Sequence, residues 1–532
     1  MSARRDALAL LALALAVNAG AAVLTTQPAY MDAYYYFGGA GQLARGRGFT
    51  EPYLWNYLAP VEALPAPSHL YWMPLTSLAA APFMALAEAG AGGRLGNAGL
   101  FRAAQIPMVL AASALPVLAY AVAQRTTGER RHALAAALLT LFSAYYFPFW
   151  GTTDSFALFG LCAAGAFLSY AGEAQSPGTR SSAHFLSGLL AGLAHLARAD
   201  GVLVGLCLLA FGVARGVAAP RRWPALAPAG WLLAGYLLVM TPWLLRNMAV
   251  VGVPLAPGGA QTLWLTQYND LFTFHPETLT LARYLAQGWG AILRSKGEAL
   301  GANLQALLAT QASIIAFPFA LIGAWRLRGQ ELFRLAGLYG AVLLLAMSLA
   351  FTFPGPLGGY FHSGAALLPF VYTAALVGLD ATVDAVARRL KHWRPERSKP
   401  VFTRLLVAGA VVFTGARFVA ALPGRADAVY AEIGRWLDEA APAERAAPVA
   451  VNNPPAFYYH TGRPAIVIPS DDVDALAAAM DRFAARWLVL DVNVAAGLAG
   501  LYAAPDSDPR FQVRTTVTDA AGRPVYVLER LR

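Results

Sequence analysis

Residues 7–26 read ALALLALALAVNAGAAVLTT, and residues 27–37 follow directly as QPAYMDAYYYF. The first segment is apolar over roughly 20 residues, the length that one helix needs to cross the ~30 Å hydrocarbon core of a bilayer. The second segment places one carboxylate, Asp32, among tyrosines just beyond that helix. Together they predict a membrane span followed by an acidic group at the bilayer surface.

The composition extends this prediction to most of the chain. Of its 532 residues, 58% are hydrophobic and 13% are charged, whereas soluble domains have about 45–50% apolar and ~25% charged residues. A soluble globular protein and a disordered one are therefore both excluded. The two cysteines, Cys162 and Cys207, lie inside apolar runs without metal-ligand spacing, so neither a disulfide framework nor a zinc site is predicted.

Twelve apolar runs are long enough to be candidate spans. They are residues 7–26, 70–89, 101–123, 133–150, 155–172, 184–199, 201–219, 225–245, 304–325, 335–353, 362–383 and 402–422. The first is interpreted as a retained span and not as a cleaved signal peptide, because its apolar stretch is longer than a usual signal core.

Basic residues in short loops predict the orientation, since cytoplasmic loops carry an excess of Lys and Arg. The basic clusters are Arg4–Arg5, Arg125–Arg131, Arg215–Arg222, Arg326–Arg334 and Arg388–Arg404. All of them fall on the cytoplasmic side if the run at 70–89 does not cross. That run is interrupted by Pro74 and Pro82. We therefore predict about eleven transmembrane helices plus one interfacial helix in the first outer loop, and we assign the net charge of +10 to topology and not to nucleic-acid binding.

This topology places the loops 27–100 and 246–303 and the region 423–532 outside. We predict a transmembrane domain over 1–422 and an extracytoplasmic α/β domain over 423–532. Short apolar strand-like runs at 450–452, 465–468 and 487–491 alternate with helical spacing over 473–485. Such alternation favours a parallel sheet, and Ser470-Asp-Asp is a helix N-cap signal.

Asp32 is the most informative candidate for chemistry, because a carboxylate beside a bilayer is costly unless it is hydrated or paired. The alternative interpretation is an N-cap for a helix over 33–43. Asp154 opens a span on the same side, where a cap is again the simpler role. Arg198 either pairs with Asp200 or binds phosphate oxygens, which arginine contacts in a bidentate manner.

Arg246, Tyr360 and His362 extend the same outer surface, and for each of them a structural role is the simpler interpretation. On charge placement alone, the acids and Arg198 could supply a general base and a phosphate clamp.

These residues carry a resemblance to a known family. The motifs are Asp32-Ala-Tyr-Tyr-Tyr, Ala44-Arg-Gly-Arg-Gly-Phe-Thr, Ser68-His-Leu-Tyr-Trp-Met-Pro, Thr153-Asp154 and Leu196-Ala-Arg-Ala-Asp-Gly201. Their order resembles that of the GT-C-type polytopic glycosyltransferases over roughly residues 1–380. This family includes the protein O-mannosyltransferases and the lipid A aminoarabinose transferase.

The resemblance implies transfer of a sugar, with inversion, from a polyprenyl-phosphate donor to an acceptor hydroxyl of a lipid, glycan or protein. The site would lie on the extracytoplasmic face of a bacterial cytoplasmic membrane. The implied roles are Asp32 and Asp154 in catalysis, with Asp32 as general base; Arg198, Arg246 and His362 at the donor phosphate; and Tyr35, His69, Asp200 and Tyr360 at the substrate. The resemblance implies no required cofactor. Whether Asp32 and Asp154 together hold a divalent metal ion stays an open question at this point.

Two departures from the family matter. Many relatives carry Asp-Glu where this chain has Asp32-Ala33, which weakens the case for a two-carboxylate metal site. No Trp-Trp-Asp motif occurs, which disfavours transfer of a whole oligosaccharide to asparagine. The alternatives are a secondary transporter or lipid flippase, and a ligase that joins polysaccharide to lipid with the 246–303 loop. A transporter is disfavoured because no internal repeat is detected and the acids gather at one surface instead of the midplane.

Overall fold

The structure is a computed structural model and describes residues 2–171, 180–218, 222–390, 393–422 and 427–531. Arg221 and the predicted domain boundary at residue 423 lie outside the described residues. Within them, seven helices are long and apolar enough to span a membrane. The predicted class, a helical polytopic membrane protein with a C-terminal α/β region, is confirmed.

The helices follow one another in chain order. They are α1 Ser2–Leu24, α2 Met31–Ala44, α3 Leu75–Gly90, α4 Asn97–Thr127, α5 Arg130–Leu141, α6 Phe156–Ala171, α7 Arg180–Ala197, α8 Val202–Ala218, α9 Arg222–Val251, α10 Pro257–Gln261, α11 Leu281–Ala286, α12 Trp289–Ala306, α13 Phe317–Leu327, α14 Glu331–Leu345, α15 Tyr360–Gly364, α16 Leu368–Ala387, α17 Pro395–Ala421, α18 Ala428–Ala440, α19 Pro454–Thr461, α20 Val473–Arg482 and α21 Ala499–Ala503. The strands are β1 Thr50–Glu51, β2 Tyr53–Leu54, β3 Ala66–Pro67, β4 Val449–Val451, β5 Ala465–Val467, β6 Trp487–Leu490, β7 Phe511–Thr518 and β8 Pro524–Arg530.

Helices α1 and α4 run antiparallel and define two faces. Arg102, near the start of α4, donates hydrogen bonds to the carbonyl oxygens of Val23 (2.8 Å) and Thr25 (2.9 Å) at the end of α1. Tyr120, near the end of α4, donates to Asp6 near the start of α1 (3.3 Å). We call the face where α1 ends, next to Asp32, the site face, and the face with Asp6 the basic face.

The apolar run at 70–89 forms α3, which lies beside α2. Ser77 in its first turn donates to the carbonyl oxygen of Tyr36 (2.9 Å), and Glu88 in its last turn pairs with Arg45 (3.4 Å). The whole length of α3 therefore follows α2 on the site face. These contacts support the interpretation of this run as a helix that does not cross.

Two other apolar runs are not continuous helices. In the run at 304–325, α12 ends at Ala306, a π-helical turn covers Leu307–Gln311, and Ser313 and Ile314 have φ angles of 49° and 57°. Pro318 lies in the first turn of α13, where it starts a helix but cannot continue one. The run at 133–150 is also interrupted, because α5 ends at Leu141.

The C-terminal region holds a six-stranded sheet with the order β2-β5-β4-β6-β8-β7. Strands β4, β5 and β6 are parallel, as the sequence predicts. Helix α20 begins after Asp472, whose Oδ1 accepts a hydrogen bond from the backbone N–H of Ala475 (2.9 Å). The antiparallel pair β7–β8 and the edge strand β2 are not predicted by the sequence pattern.

Strand β2 comes from the first outer loop and joins this sheet by parallel pairing of Tyr53 with Ala465. The Tyr53 side chain is fully buried, and its hydroxyl donates to the carbonyl oxygen of Tyr35 in α2 (3.0 Å). The C-terminal sheet is thus tied directly to the helix whose first turn carries Asp32.

This contact requires a glycine at position 38. A Cβ atom there would overlap the buried Tyr53 phenol, whereas a Cβ at Gly41 on the same helix would meet nothing closer than 3.6 Å. We expect Gly38→Ala to lower the free energy of unfolding by about 1–3 kcal/mol through overpacking, and Gly41→Ala to be neutral or slightly stabilising. Thermal unfolding of the two variants in detergent measures the difference, and equal unfolding temperatures would contradict this account.

Candidate active site

Asp32 lies in the first turn of α2. The helix begins at Met31 and Tyr30 holds the N-cap position, so the alternative interpretation of Asp32 as the N-cap is wrong. The positive end of the helix dipole favours a carboxylate at this place. The side chain is 27% exposed, which leaves it open to a substrate.

Asp154 lies in the loop between α5 and α6, with its side chain 1% exposed. The Tyr30 hydroxyl donates to Oδ2 (2.7 Å), while the backbone N–H and the hydroxyl of Ser155 both donate to Oδ1. Thr153 donates to the carbonyl oxygen of Ala33 in α2 (2.7 Å). These bonds fix the second carboxylate to the segment that carries the first.

His362 in α15 joins the two acids. Its Nε2 is 3.0 Å from Oδ2 of Asp154 and 4.0 Å from Oδ2 of Asp32. Its Nδ1 is 2.8 Å from the carbonyl oxygen of Gly358, and its ring stacks on Phe156. Because a carbonyl only accepts, Nδ1 carries a proton. Nε2, the other ring nitrogen, faces the Asp154 carboxylate.

The two acids have different pKa values. Desolvation and the negative charge of Asp154 raise the pKa of Asp32 to about 6, although His362 and Arg198 act in the opposite direction. Burial also acts to raise the pKa of Asp154, but the charge of His362 and the hydrogen bonds from His362 and Tyr30 bring it below its usual value. The ionised form is thus favoured at Asp154, and Asp32 is the acid whose pKa is raised toward neutral pH.

Arg198 and Asp200 form an ion pair beside these groups. Arg198 Nε donates to Asp200 Oδ1 and to the Ser363 hydroxyl, both at 3.0 Å, and Nη1 is 3.5 Å from the Ser155 hydroxyl. Ser363 in turn donates to the Asp200 carboxylate. Since Ser155 follows Asp154 and Ser363 follows His362, the pair is linked to both. Asp32, Asp154, Arg198, Asp200 and His362 therefore form one connected group, the acid–histidine cluster.

Four predicted site residues lie outside this cluster. Arg246 donates to the carbonyl oxygen of Ser68 (2.8 Å). The Tyr35 and His69 side chains are each 1% exposed, with the Tyr35 hydroxyl oxygen accepting from the His69 backbone N–H (2.6 Å). Tyr360 is also 1% exposed. These side chains are part of the packing around the site, and their proposed substrate contacts stay predictions.

Hydrogen bonds that hold the cluster come from three residues that the sequence pattern does not predict: Tyr30, Ser155 and Ser363. Each lies one or two residues from a predicted site residue, and this closeness in sequence is the one feature that could have pointed to it. Ser and Tyr are too common in loops for that signal to be used alone.

The Arg198–Asp200 pair is nearly buried, with side chains 13% and 9% exposed. Removing one partner of such a pair leaves an uncompensated charge and costs about 3–5 kcal/mol. We expect Arg198→Gln to lower the unfolding temperature strongly, and the double variant Arg198→Gln/Asp200→Asn to recover part of the loss. If the double variant is no more stable than the single one, the two side chains do not act as a pair.

A comparison with protein families matches residues 81–245 to the family model of dolichyl-phosphate-mannose-protein mannosyltransferases. No curated protein sequence matches the chain significantly.

Solved structures match nearly the whole chain. The archaeal oligosaccharyltransferase AglB from Archaeoglobus fulgidus, in complex with an inhibitory peptide and a dolichol-phosphate, superposes with a TM-score of 0.61 at 13% identity, over 98% of this chain and 74% of that one. ArnT from Cupriavidus metallidurans bound to undecaprenyl phosphate gives a TM-score of 0.54 at 15% identity, over 98% and 97%. Apo ArnT from the same organism gives 0.56 at 14% identity, over 99% and 98%. The predicted resemblance to GT-C membrane glycosyltransferases is confirmed at the level of the fold.

Proposed function

We propose that this protein transfers a sugar from a polyprenyl-phosphate donor to an acceptor hydroxyl, with inversion at the anomeric carbon. The observation that carries the proposal is the convergence of Asp32, Asp154, His362 and Arg198 on the site face. The fold adds support, because the matched AglB and ArnT structures hold dolichol-phosphate and undecaprenyl phosphate.

Asp32 is the general base. It is the more exposed of the two acids, and a pKa of about 6 leaves it ionised at neutral pH while keeping it basic enough to accept a proton. The acceptor oxygen attacks the anomeric carbon and its proton passes to Asp32. The bond from that carbon to the phosphate oxygen breaks on the opposite side, and its electron pair stays on the leaving phosphate.

Asp154, Arg198 and His362 set the electrostatics of this step. Desolvation and the charge of Asp154 together raise the pKa of the base. Arg198 uses Nε and Nη1 on Asp200, Ser363 and Ser155, and its Nη2 has no hydrogen-bond partner among the described residues. That N–H group is available to the leaving phosphate, for which arginine donors are well suited.

The same cluster fits a divalent metal ion. Asp32, Asp154 and His362 each offer one ligand atom, and these atoms lie within 4.8 Å of one another. Two carboxylate oxygens and an imidazole nitrogen suit Mn²⁺ or Zn²⁺. An ion held by these three residues would supply positive charge for the donor phosphate.

We further propose that the site face is extracytoplasmic in a bacterial cytoplasmic membrane. Gln330 donates to the carbonyl oxygen of Thr126 (3.4 Å) and Arg131 to the Thr403 hydroxyl (2.6 Å). The basic loops after α4, α13 and α16 therefore share the basic face. An excess of Lys and Arg marks the cytoplasmic side, which supports the opposite location for Asp32.

Replacement of the base tests the mechanism. With purified full-length protein and polyprenyl-phosphate monosaccharides, we expect Asp32→Asn to lower turnover about 100- to 10,000-fold, because the amide cannot accept the proton. Glu62→Gln, an exposed acid in the same outer loop, is the matched control and should retain wild-type turnover. Product formation is followed by mass spectrometry of the acceptor.

Two results would contradict the proposal. Full turnover by Asp32→Asn would remove this residue from the mechanism. Lipid or sugar flux in proteoliposomes without covalent transfer would identify a transporter instead.

The pH dependence gives a second test. Below about pH 6 the Asp32 carboxyl is protonated and cannot act as a base. We expect kcat/KM to rise about tenfold per pH unit in the acidic range and to level off above pH 6. The residual activity of Asp32→Asn should lack this limb, and Glu62→Gln should keep it. An unchanged limb in Asp32→Asn would assign it to another group.

A further inference from the structure

A groove opens on the basic face, between helices α1, α4 and α6 and far from the acid–histidine cluster. It is an open groove of about 680 Å³. Its deeper walls are apolar and come from all three helices: Ala7, Val117, Ala121 and Leu168. These four apolar side chains are partly exposed, so contact with an acyl chain is more favourable for them than contact with water.

The mouth of the groove is polar and basic. Gln124 and Arg125 lie there, at the end of α4. Arg125 Nη1 donates to the carbonyl oxygen of Leu168 (3.3 Å) and Nη2 to that of Ala171. These two bonds hold the guanidinium across the end of α6 and use only part of its five N–H donors. The charge is thus fixed at the groove with donors left over.

No free acid neutralises this mouth among the described residues that line it. Asp6 is close, but Arg130 binds both of its carboxylate oxygens (2.6 and 2.8 Å) and Tyr120 donates to it as well. Glu331 is a further acid whose charge acts on Arg125, and it is itself paired with Arg215 (2.6 Å). Among the described residues that line the mouth, Arg125 therefore carries the one formal charge, and this positive charge suits an anion.

The length of the groove along α4 suits a ligand with a charged end and an apolar chain. From Arg125 to Val117 the helix rises roughly 12 Å, at about 1.5 Å per residue. A cationic group at the membrane surface and an apolar channel of this depth beneath it correspond to a phosphate headgroup and the first part of an acyl chain. Basic pockets between transmembrane helices are a known form of anionic-lipid site.

We propose that this groove binds an anionic glycerophospholipid from the leaflet on the basic face. The phosphate contacts Arg125 at the mouth, and one acyl chain lies along Ala121 and Val117. The polyprenyl-phosphate donor of the proposed reaction would bind on the site face, so this lipid is a separate ligand. Its binding does not depend on the proposed function.

The test compares phosphatidylglycerol with phosphatidylcholine of the same acyl chains on purified full-length protein, with bound lipid counted by native mass spectrometry. We expect the wild type to prefer phosphatidylglycerol. Arg125→Gln should weaken that binding about fivefold, the effect of one basic residue near an anionic surface, and should leave phosphatidylcholine binding unchanged. Arg125→Lys keeps the charge and should keep most of the preference.

Two controls separate this site from general surface charge and from packing. Arg388→Gln removes an exposed charge outside the groove and should not alter the preference. Ala121→Phe fills the groove without changing charge and should abolish phosphatidylglycerol binding at this site, even if Arg125→Gln proves too unstable to purify. Competition by glycerol phosphate shows whether the phosphate headgroup alone, without acyl chains, accounts for the binding of phosphatidylglycerol.

Three results would overturn the proposal. The first is equal binding of the two lipids by the wild type. The second is an equal loss in Arg125→Gln and Arg388→Gln, which would indicate diffuse charge. The third is competition by glycerol phosphate as strong as that by the whole lipid, which would indicate an anion site without a lipid groove.

Discussion

The mutual repulsion of two carboxylates beside the membrane is the constraint on which the site depends. Asp32 and Asp154 both approach Nε2 of His362, and like charges at such separation cannot both ionise freely. The two carboxylates differ in burial and in the hydrogen bonds that they receive. Asp154 is buried and receives hydrogen bonds from Tyr30, Ser155 and His362, whereas Asp32 stays partly exposed. One acid is thereby a fixed charge and the other a titrating group.

Irregular backbone around α15 makes this arrangement possible. A π-helical turn over Ala346–Ala350 and an irregular segment over Gly355–Gly359, in which Gly358 has a φ angle of 136°, precede the short helix that carries His362. Non-helical backbone at membrane depth is tolerated only where protein groups satisfy it. Here the Tyr146 hydroxyl donates to the carbonyl oxygen of Phe361 (2.8 Å), and the Tyr339 hydroxyl donates to that of Ser363 (3.1 Å). Two buried tyrosines thus hold the backbone on either side of His362.

Charge placement along the sequence predicts which side of the membrane a residue occupies, but not its position within that side. The basic loops and span lengths predict a common face for Asp32, Asp154, Arg198 and Asp200, and in the structure these residues meet. Arg246 was predicted for the same face by the same reasoning, yet it binds Ser68 outside the acid–histidine cluster. In the C-terminal region, apolar strand runs and the Asp472 cap were sufficient to predict β4, β5, β6 and α20. Strand β2 could not be predicted from the sequence, because it has only two residues and pairs with a strand about 400 positions away.

Through this long-range pairing, the C-terminal region helps to hold the helix that carries Asp32. The Tyr53 hydroxyl links β2 to the backbone of α2 (3.0 Å), and the Tyr34 hydroxyl of α2 donates to Asp427 at the start of the C-terminal region (3.0 Å). Both contacts lie within one turn of Asp32 along the helix. A displacement of the sheet would therefore move the first turn of α2, which carries Asp32. Because desolvation and the charge of Asp154 together raise the pKa of Asp32, the C-terminal region contributes to the chemistry of the site by holding α2 in place, without contributing a residue to the cluster.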